Sequence, residues 1–301
     1  MEFGFALPQT GVHASPEALV RAAQEAERRG YATAWVLERL LRPLHPRGSS
    51  GRPMPESYAT AYDPIETLTF VAAHTERIRL GTSILVAPFH VPVLLAKRLA
   101  TLDRFSGGRV VAGLGLGWSE EEFEAVNVPT QRRGAALGEF VATLRAAWGP
   151  DPVRFSGRFY RVPESQINPK PVQPGGPPVL IAAQAPAAVE RAARIGDGLH
   201  AIPAEWSAFE GAVDRFRRAA RAAGRDPDAL PIVARTNTAP GDDPAPDPRP
   251  PLSGSYAQVA EDLRRLADLG VTEVFFDMNR FGLTVDEQFR RLERLRQTVA
   301  R

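Results

Sequence analysis

The sequence contains no cysteine, and only two of its residues are lysine, Lys97 and Lys170. The lack of cysteine excludes disulfide bonds, thiolate catalysis and cysteine-bound metals. A formal net charge of +2 is too close to zero to indicate a nucleic-acid partner. No apolar run reaches about 18 residues, the length that spans a bilayer, and the first residues lack the basic region of a signal peptide. We therefore expect a cytoplasmic protein with neither nucleic acid nor membrane as a partner.

Several kinds of catalytic machinery are also missing. The sequence has no serine nucleophile elbow, no P-loop and no HExxH motif. The spacing of the histidines is not that of a metal-binding motif, with no i, i+4 or HxH pair among His13, His45, His74, His90 and His200. We expect no metal site and no hydrolytic chemistry.

What the sequence does contain is organised around one stretch, Arg77–Trp118. Ile78–Leu85 is apolar and rich in β-branched residues without clean alternation, which is typical of a strand buried on both faces of a parallel sheet. Pro92 opens an amphipathic helix, and Arg109–Leu114 reads as a second buried strand. This βαβ unit ends in the glycine-rich loop 115–118, where backbone can approach a flat ligand closely.

The rest of the chain repeats the alternation of strand and helix. The pattern predicts eight strands: Glu2–Leu7, Thr33–Leu37, Ile78–Leu85, Arg109–Leu114, Val179–Ala183, Leu199–Ile202, Pro231–Thr236 and Glu273–Asp277. This is the pattern of an α/β protein with a single (β/α)8 TIM barrel, here with insertions after strands 2, 4 and 7. We see no internal repeat and no linker, so residues 1–301 are expected to form one domain.

In such a barrel the candidate site is the ring of loops that follow the strands. Glu38 and Arg39, directly after the second strand, either bind a ligand or form an ion pair with each other on the rim. The glycine run 113–117 either cradles a cofactor or makes tight turns. Trp118 either stacks on an aromatic ligand or closes the core, and the acidic run Glu120–Glu124 is expected to be a solvated first helical turn.

The connection Leu40–Tyr62 is unusually long for a compact domain. Its prolines, glycines and serines give it no core of its own, so we expect a functional and mobile segment. Five apolar residues in it could cover a ring-shaped ligand: Leu40, Leu41, Leu44, Met54 and Tyr58. We predict that the segment is a lid that becomes ordered when a cofactor binds.

Longer stretches closely resemble the luciferase-like monooxygenase superfamily, in particular its branch that uses the deazaflavin coenzyme F420. The resemblance is carried by LLAKRLATLDRFSGGRVVAGLGLGWSEEEFEAVNVPTQRRG and continues through AAVERAARIGDGLH and SGSYAQVAEDLRRLADLGVTEVFFD. It follows the family's order over nearly the whole chain. It implies a luciferase-like TIM barrel that binds F420 at its mouth.

The resemblance also implies which residues bind the cofactor. They are Glu38, Ser83, Ile84, Gly115, Leu116, Gly117, Trp118, Ala183, Gln184 and Ala185. In the family, the position of Glu38 contacts the ring system, and the loop 115–118 lies beside it. The strand bulge at 82–84, often with a non-proline cis peptide, supports the ring from behind, so the peptide between Ser83 and Ile84 is expected to be cis or strongly distorted. The turn 183–185 matches the phosphate-binding turn, in agreement with the anion preference of a helix N-terminus.

Two positions depart from the family pattern. Arg39 stands where many members have a histidine that donates a proton in some of them, and a guanidinium cannot do so at neutral pH. We therefore predict that Arg39 is catalytic through its charge, on an anionic substrate group or on negative charge that develops on ring or substrate. Ala183 and Gln184 replace a common Gly-Gly or Gly-Ser pair.

These features predict an oxidoreductase that transfers a hydride between F420 and a small organic substrate at the mouth of the barrel. The alternatives are an FMN-dependent monooxygenase of the same fold and a flavin- or deazaflavin-binding barrel without catalysis. The expected partners are a small-molecule substrate and a second copy of the chain in a homodimer.

Overall fold

The computed structural model describes residues 1–47 and 53–300, and in them a nearly closed barrel of parallel strands. Its wall consists of β1 (Glu2–Phe3), β2 (Phe5–Ala6), β3 (Thr33–Val36), β4 (Arg79–Thr82), β5 (Leu85–Val86) and β6 (Val110–Gly115), followed by β9 (Val179–Ala182), β10 (Gly198–Ala201), β11 (Ile232–Thr236) and β12 (Glu273–Phe276). Between them β7 (Val153–Ser156) and β8 (Arg161–Ser165) form a separate antiparallel hairpin. The prediction of a luciferase-like TIM barrel is confirmed in this architecture.

Two of the predicted strands are interrupted. The first breaks at Gly4, so that β1 pairs with β12 while β2 pairs with β3, and the two halves join the two ends of the sheet. The third divides into β4 and β5 at Ser83–Ile84, whose peptide bond is cis, as the resemblance implies. Neither break can be recognised from hydrophobic periodicity, because both depend on which neighbouring strand each half meets.

Helices pack around the outside of the wall. They are α1 (Pro16–Arg28), α2 (Pro64–Ala72), α3 (Pro92–Ser106), α4 (Glu120–Ala125), α5 (Arg133–Trp148), α6 (Pro186–Ile195), α7 (Trp206–Ala222), α8 (Tyr256–Asp268) and α9 (Val285–Val299). Local sequence explains several of their ends: Ser15 caps α1 by accepting a hydrogen bond from the Ala18 N–H, and Gly107, with φ of 69°, ends α3 in the left-handed region. Among the described residues no helix is both long and apolar enough to cross a membrane.

The barrel interior has a small core of its own below the mouth. It contains Ala6, Trp35, Leu180, Val233 and Phe275, and the rings of Trp35 and Phe275 stack with centroids 5.0 Å apart. The indole N–H of Trp35 donates to Oε1 of Glu273 at 2.7 Å, so the one polar atom of this ring is satisfied. This core closes the barrel from below and leaves a cavity above it, at the carboxyl ends of the strands.

Candidate active site

A cavity of about 500 Å³ opens at the mouth of the barrel. It is lined by Leu37, Glu38, Arg39, Pro55, Tyr58, Ser83, Ile84, Val86, Gly115, Leu116, Gly117, Trp118, Glu122, Ala182, Ala183, Gln184, His200, Ile202, Arg235 and Asn237. Ten of the eleven predicted site residues are in this lining, and the exception is Ala185, which is exposed at the N-terminus of α6. The cavity lies in the size range of small-molecule and cofactor sites.

One wall of the cavity is made by close contact between β6 and the bulge after β4. A Cβ at Gly115 would lie only 2.6 Å from Cδ1 of Ile84, and a Cβ at Gly113 would lie 2.0 Å from the carbonyl oxygen of Thr82. The Thr82 hydroxyl also bonds both the carbonyl and the N–H of Gly113 at 2.9 Å. The glycines are therefore needed for the approach of two strands, and at Gly115 this places the Ile84 side chain at the cavity.

A buried arginine holds the bulge from the opposite side of the barrel. Arg235, on β11, donates to the carbonyl oxygen of Ser83 at 2.6 Å and to Asp277 at 2.7 Å. Its Nε donates to Asn237 at 3.2 Å. This network was not predicted from the sequence, although a charged residue in an otherwise apolar predicted strand and an acid at the end of another are signals of it.

Glu38 does not pair with its neighbour Arg39. Its Oε1 lies 2.8 Å from Nε2 of His90, and its Oε2 accepts a hydrogen bond from the Val86 N–H. The rim ion pair considered for Glu38 and Arg39 is therefore absent. Side chains of adjacent residues in an extended backbone point in opposite directions. Glu38 therefore contacts His90, whereas Arg39 contacts a different part of the chain.

Arg39 instead forms a buried ion pair with Glu122. The Arg39 Nη1 donates to Glu122 Oε2 at 2.6 Å, and the two side chains are only 9% and 2% exposed. The guanidinium carbon lies over two aromatic rings, 4.9 Å from the centroid of Tyr58 and 5.1 Å from that of Trp118. Trp118 thus stacks on a cation of the protein itself as well as lining the cavity.

Glu122 corrects the expectation that the acidic run Glu120–Glu124 is a solvated helical turn. Its Oε1 accepts a hydrogen bond from the Leu40 N–H at 2.8 Å, so one carboxylate holds both the side chain and the backbone after β3. Burial raises the pKa of Glu122, against the opposing effect of the Arg39 charge. The run contains one buried carboxylate, Glu122, beside the exposed Glu120 and Glu124, and the spacing of the sequence does not distinguish them.

His200 lies at the base of the cavity on β10. Its ring makes edge contacts with Trp35 and Phe275, at centroid distances of 5.9 and 6.0 Å. Burial, together with the positive charge of Arg235, lowers the pKa of His200 to about 3. The imidazole is therefore neutral at pH 7. The sequence analysis assigned it no role.

Two nitrogen atoms at the cavity are suited to a ligand with hydrogen-bonding edges. Nε of Arg39 and Nε2 of His200 are buried and have no hydrogen-bond partner among the described residues. Apolar side chains such as Leu37, Val86 and Leu116 supply the remaining surface. A flat ring with polar edges fits this combination of glycine backbone, apolar wall and unpartnered nitrogen atoms. In the described part of the chain no cluster of three His, Asp or Glu residues could hold a metal ion.

Relatives of the chain include enzymes with two kinds of flavin-type cofactor. An uncharacterised protein of Mycobacterium tuberculosis is 33% identical over 283 residues, covering 92% of this chain and 92% of that protein. An F420-dependent glucose-6-phosphate dehydrogenase of Amycolatopsis mediterranei is 33% identical over 187 residues, 61% of this chain and 52% of that enzyme. An FMNH2-dependent dimethylsulfone monooxygenase of Pseudomonas putida is 33% identical over 155 residues, 50% of this chain and 42% of that enzyme.

Solved structures share the fold over the whole chain. The monooxygenase RslO1 from Streptomyces bottropensis superposes with a TM-score of 0.81 at 22% identity, covering 100% of this chain and 99% of that one. An F420-dependent secondary alcohol dehydrogenase, solved with an F420–acetone adduct, superposes with a TM-score of 0.79 at 17% identity, covering 99% of this chain and 98% of that one. At these identities the superpositions support the fold alone.

The family assignment rests on sequence over most of the chain. The model described as luciferase-like monooxygenase matches residues 1–246, which include every residue of the cavity lining. The fold of this matched region is that of the superposed structures. The chain belongs to the luciferase-like monooxygenase family.

Proposed function

We propose that the protein is an F420-dependent oxidoreductase, which transfers a hydride between the deazaflavin and a small organic substrate in the mouth cavity. The main observation in support is that the predicted site residues come together at one cavity. Ten residues named for the cofactor or for catalysis follow four different strands, and they line a single cavity of about 500 Å³. The F420-dependent relative, which is 33% identical over 61% of this chain, supports the choice of cofactor.

The residues of the cavity suit different parts of such a cofactor. Gly115 and Gly117 present backbone without side chains, and Ile84 packs beside Gly115 where a ring would need support. At the edge, α6 begins after Ala185 with no side chain capping it, so its N-terminal N–H groups and dipole favour a phosphate. A bound deazaflavin supplies a ring carbon that accepts or releases a hydride, and the protein supplies binding, orientation and exclusion of water.

Arg39 contributes in a different way from a proton donor. The Tyr58 and Trp118 rings that pack against its guanidinium also line the cavity, and they would help to exclude water once cofactor and substrate are bound. The Nε–H of Arg39 is buried and has no partner among the described residues, so we expect it to donate to an acceptor atom of the cofactor or the substrate. Glu122 fixes the guanidinium in this position.

An FMN-dependent monooxygenase is the second candidate, favoured by the relative from Pseudomonas putida. The uncapped N-terminus of α6 suits the phosphate of either cofactor. A barrel that binds the cofactor without catalysis is the third.

Titration with F420 and with FMN, followed by tryptophan fluorescence, distinguishes between the two cofactors. We expect saturable quenching by F420 at lower concentration than by FMN. The quenching should largely disappear in Trp118→Phe and persist in Trp206→Phe, since Trp118 lines the cavity and Trp206 lies on α7.

The outcome is then checked by turnover. Reduced F420 should be consumed, or oxidised F420 reduced, with a panel of ketones and alcohols. Tighter binding of FMN with oxygen consumption by the reduced form would favour the monooxygenase instead. Binding of F420 without any turnover across the panel would favour the non-catalytic barrel.

A further inference from the structure

The charged side chains that line the mouth cavity are neutralised by the protein itself. Arg39 is paired with Glu122 at 2.6 Å, and Arg235 is paired with Asp277 at 2.7 Å. Both pairs are buried, so each guanidinium is held by a partner that cannot be exchanged for solvent at low cost. Neither cation is free to pair with an anionic ligand.

The other titratable groups at the cavity also supply no unpaired positive charge. Glu38 is the remaining charged residue of the lining, and its carboxylate is held by His90 and the Val86 N–H. His200 is neutral, as its depressed pKa requires. The net charge of this set is zero when His90 is protonated and −1 when it is neutral.

Lysine, the usual alternative cation, is placed elsewhere. Lys97 donates to the carbonyl oxygen of Asn168, and Lys170 pairs with Asp151, both on the outside of the barrel. Apolar and aromatic side chains make up most of the lining that remains: Leu37, Pro55, Tyr58, Ile84, Val86, Leu116, Trp118 and Ile202. The cavity in the described residues therefore offers hydrogen bonds and apolar contact without a free cation.

We infer that the substrate is an uncharged, largely apolar molecule with a hydrogen-bond acceptor, such as a ketone or a secondary alcohol, and not a carboxylate or a phosphate ester. This inference rests on the proposed function for the identity of the site as an active site. Away from the N-terminus of α6, an anionic group in the cavity would lose its hydration without gaining a free cation, whereas a carbonyl or hydroxyl oxygen has less hydration to lose. The Nε–H of Arg39, which has no partner among the described residues, is a donor for such an oxygen.

A pair of probes with nearly the same shape and different charge tests the inference. Benzamide and benzoate are titrated into the protein with and without saturating F420, and binding is followed by calorimetry and by Trp118 fluorescence. We expect benzamide to bind at least about tenfold more tightly than benzoate, because burying a charge without a partner is unfavourable. Equal or tighter binding of benzoate, or no saturable binding of benzamide, would show that the inference is wrong.

A variant then checks the cause. Glu122→Gln removes the negative partner of Arg39 and should raise the affinity for benzoate about tenfold, reversing the preference. Glu124→Gln removes the same charge from an exposed position on the same helix and should leave both affinities unchanged. An unchanged preference in Glu122→Gln, with thermal unfolding still cooperative, would mean that charge pairing does not select the ligand.

The two levels of the proposal fail in different ways. If F420 does not bind but benzamide is still preferred, the proposed function is wrong while the inference about charge holds. If F420 binds and is turned over with carboxylates or phosphate esters, the function stands and the inference is wrong.

Discussion

Arg39 is the residue predicted to be catalytic, and the structure shows which groups hold its side chain. Its charge is held by Glu122 and its plane by two aromatic rings, so substituting it disturbs a buried pair as well as the cavity. Removing one member of a buried ion pair leaves the other without a partner, which typically costs about 3–5 kcal/mol of stability. Effects on folding and on turnover must therefore be measured separately.

We expect Arg39→Gln to bind cofactor nearly normally but to lose turnover. The loss of a preorganised donor corresponds to about 3 kcal/mol of transition-state stabilisation. Arg39→Lys keeps the pair with Glu122 but not the planar stack, and should retain part of the activity. Steady-state kinetics with any accepted substrate give the measurement.

The double variant Arg39→Gln/Glu122→Gln is the matched control. Removing both charges should recover stability, measured by urea unfolding, without recovering turnover. Turnover like that of the wild type in Arg39→Gln would show that Arg39 has only a structural role at the mouth of the barrel.

His200 makes stability depend on acid pH. Its pKa in the folded protein is about 3, against 6.5 for an unperturbed imidazole, so below pH 6.5 the unfolded chain binds one proton more than the folded one. The stabilising contribution is therefore present above pH 6.5 and is lost as the pH falls toward 3. The expected slope is about 1.4 kcal/mol per pH unit.

Urea unfolding between pH 7 and pH 4 measures this slope. The free energy of unfolding of His200→Gln should depend less steeply on pH than that of the wild type, and the difference should correspond to one proton. This holds whatever the absolute stability of the variant. His45→Gln, which removes an exposed histidine, should keep the wild-type slope. Identical slopes in the wild type and His200→Gln would mean that folding does not lower the pKa of His200.

At the scale of elements, the segment between β3 and α2 is held by the acidic end of α4. Glu122 accepts from the Leu40 N–H, Glu121 from the Arg47 N–H, and Glu124 pairs with the Arg47 guanidinium. Met54 is buried, but Leu44 is 81% exposed and so does not cover the cavity as the sequence suggested. Residues 48–52 of the predicted lid lie outside the described residues.

We predict that cofactor binding slows proteolysis within Leu40–Tyr62. Arg39 directly precedes this segment and Tyr58 lies within it, and both line the cavity, so a bound ligand adds contacts to the segment. Limited proteolysis with and without saturating F420, with fragments identified by mass, gives the rates. Cleavage between α7 and α8 serves as the internal reference, and equal cleavage of Leu40–Tyr62 in both states would contradict the lid.

At the scale of the whole molecule, alternation of strands and helices was enough to predict the barrel. Helix ends were also predictable where one residue decides them, as Ser15 and Gly107 do. Partners at the site were not, because they are long-range: Arg235 and Ser83 are 152 residues apart, and Arg39 and Glu122 are 83 residues apart. The sequence indicates which loops lie at the mouth of the barrel. Which charged side chains pair there depends on how the strands are arranged around the barrel.

The barrel interior is packed closely enough for a single methyl group to matter. A Cβ at Gly81 on β4 would lie 2.4 Å from the Trp35 ring, whereas a Cβ at Gly138 on α5 meets nothing within 4 Å. Gly81→Ala should destabilise the protein by about 1–3 kcal/mol through overpacking. Gly138→Ala should stabilise it by about 0.5–1 kcal/mol through helix propensity. Thermal unfolding of the two variants measures both, and a neutral Gly81→Ala would show that Trp35 can move.

The buried carboxylate of Glu122 has a consequence for redesigning the mouth. It joins the loop after β3 to the loop after β6, through Arg39 and through the Leu40 backbone. Swapping in a foreign loop at either place, while keeping the other, would leave a charge enclosed without its counterpart. The loops after β3 and β6 should therefore be exchanged together when the mouth of one barrel is grafted onto another.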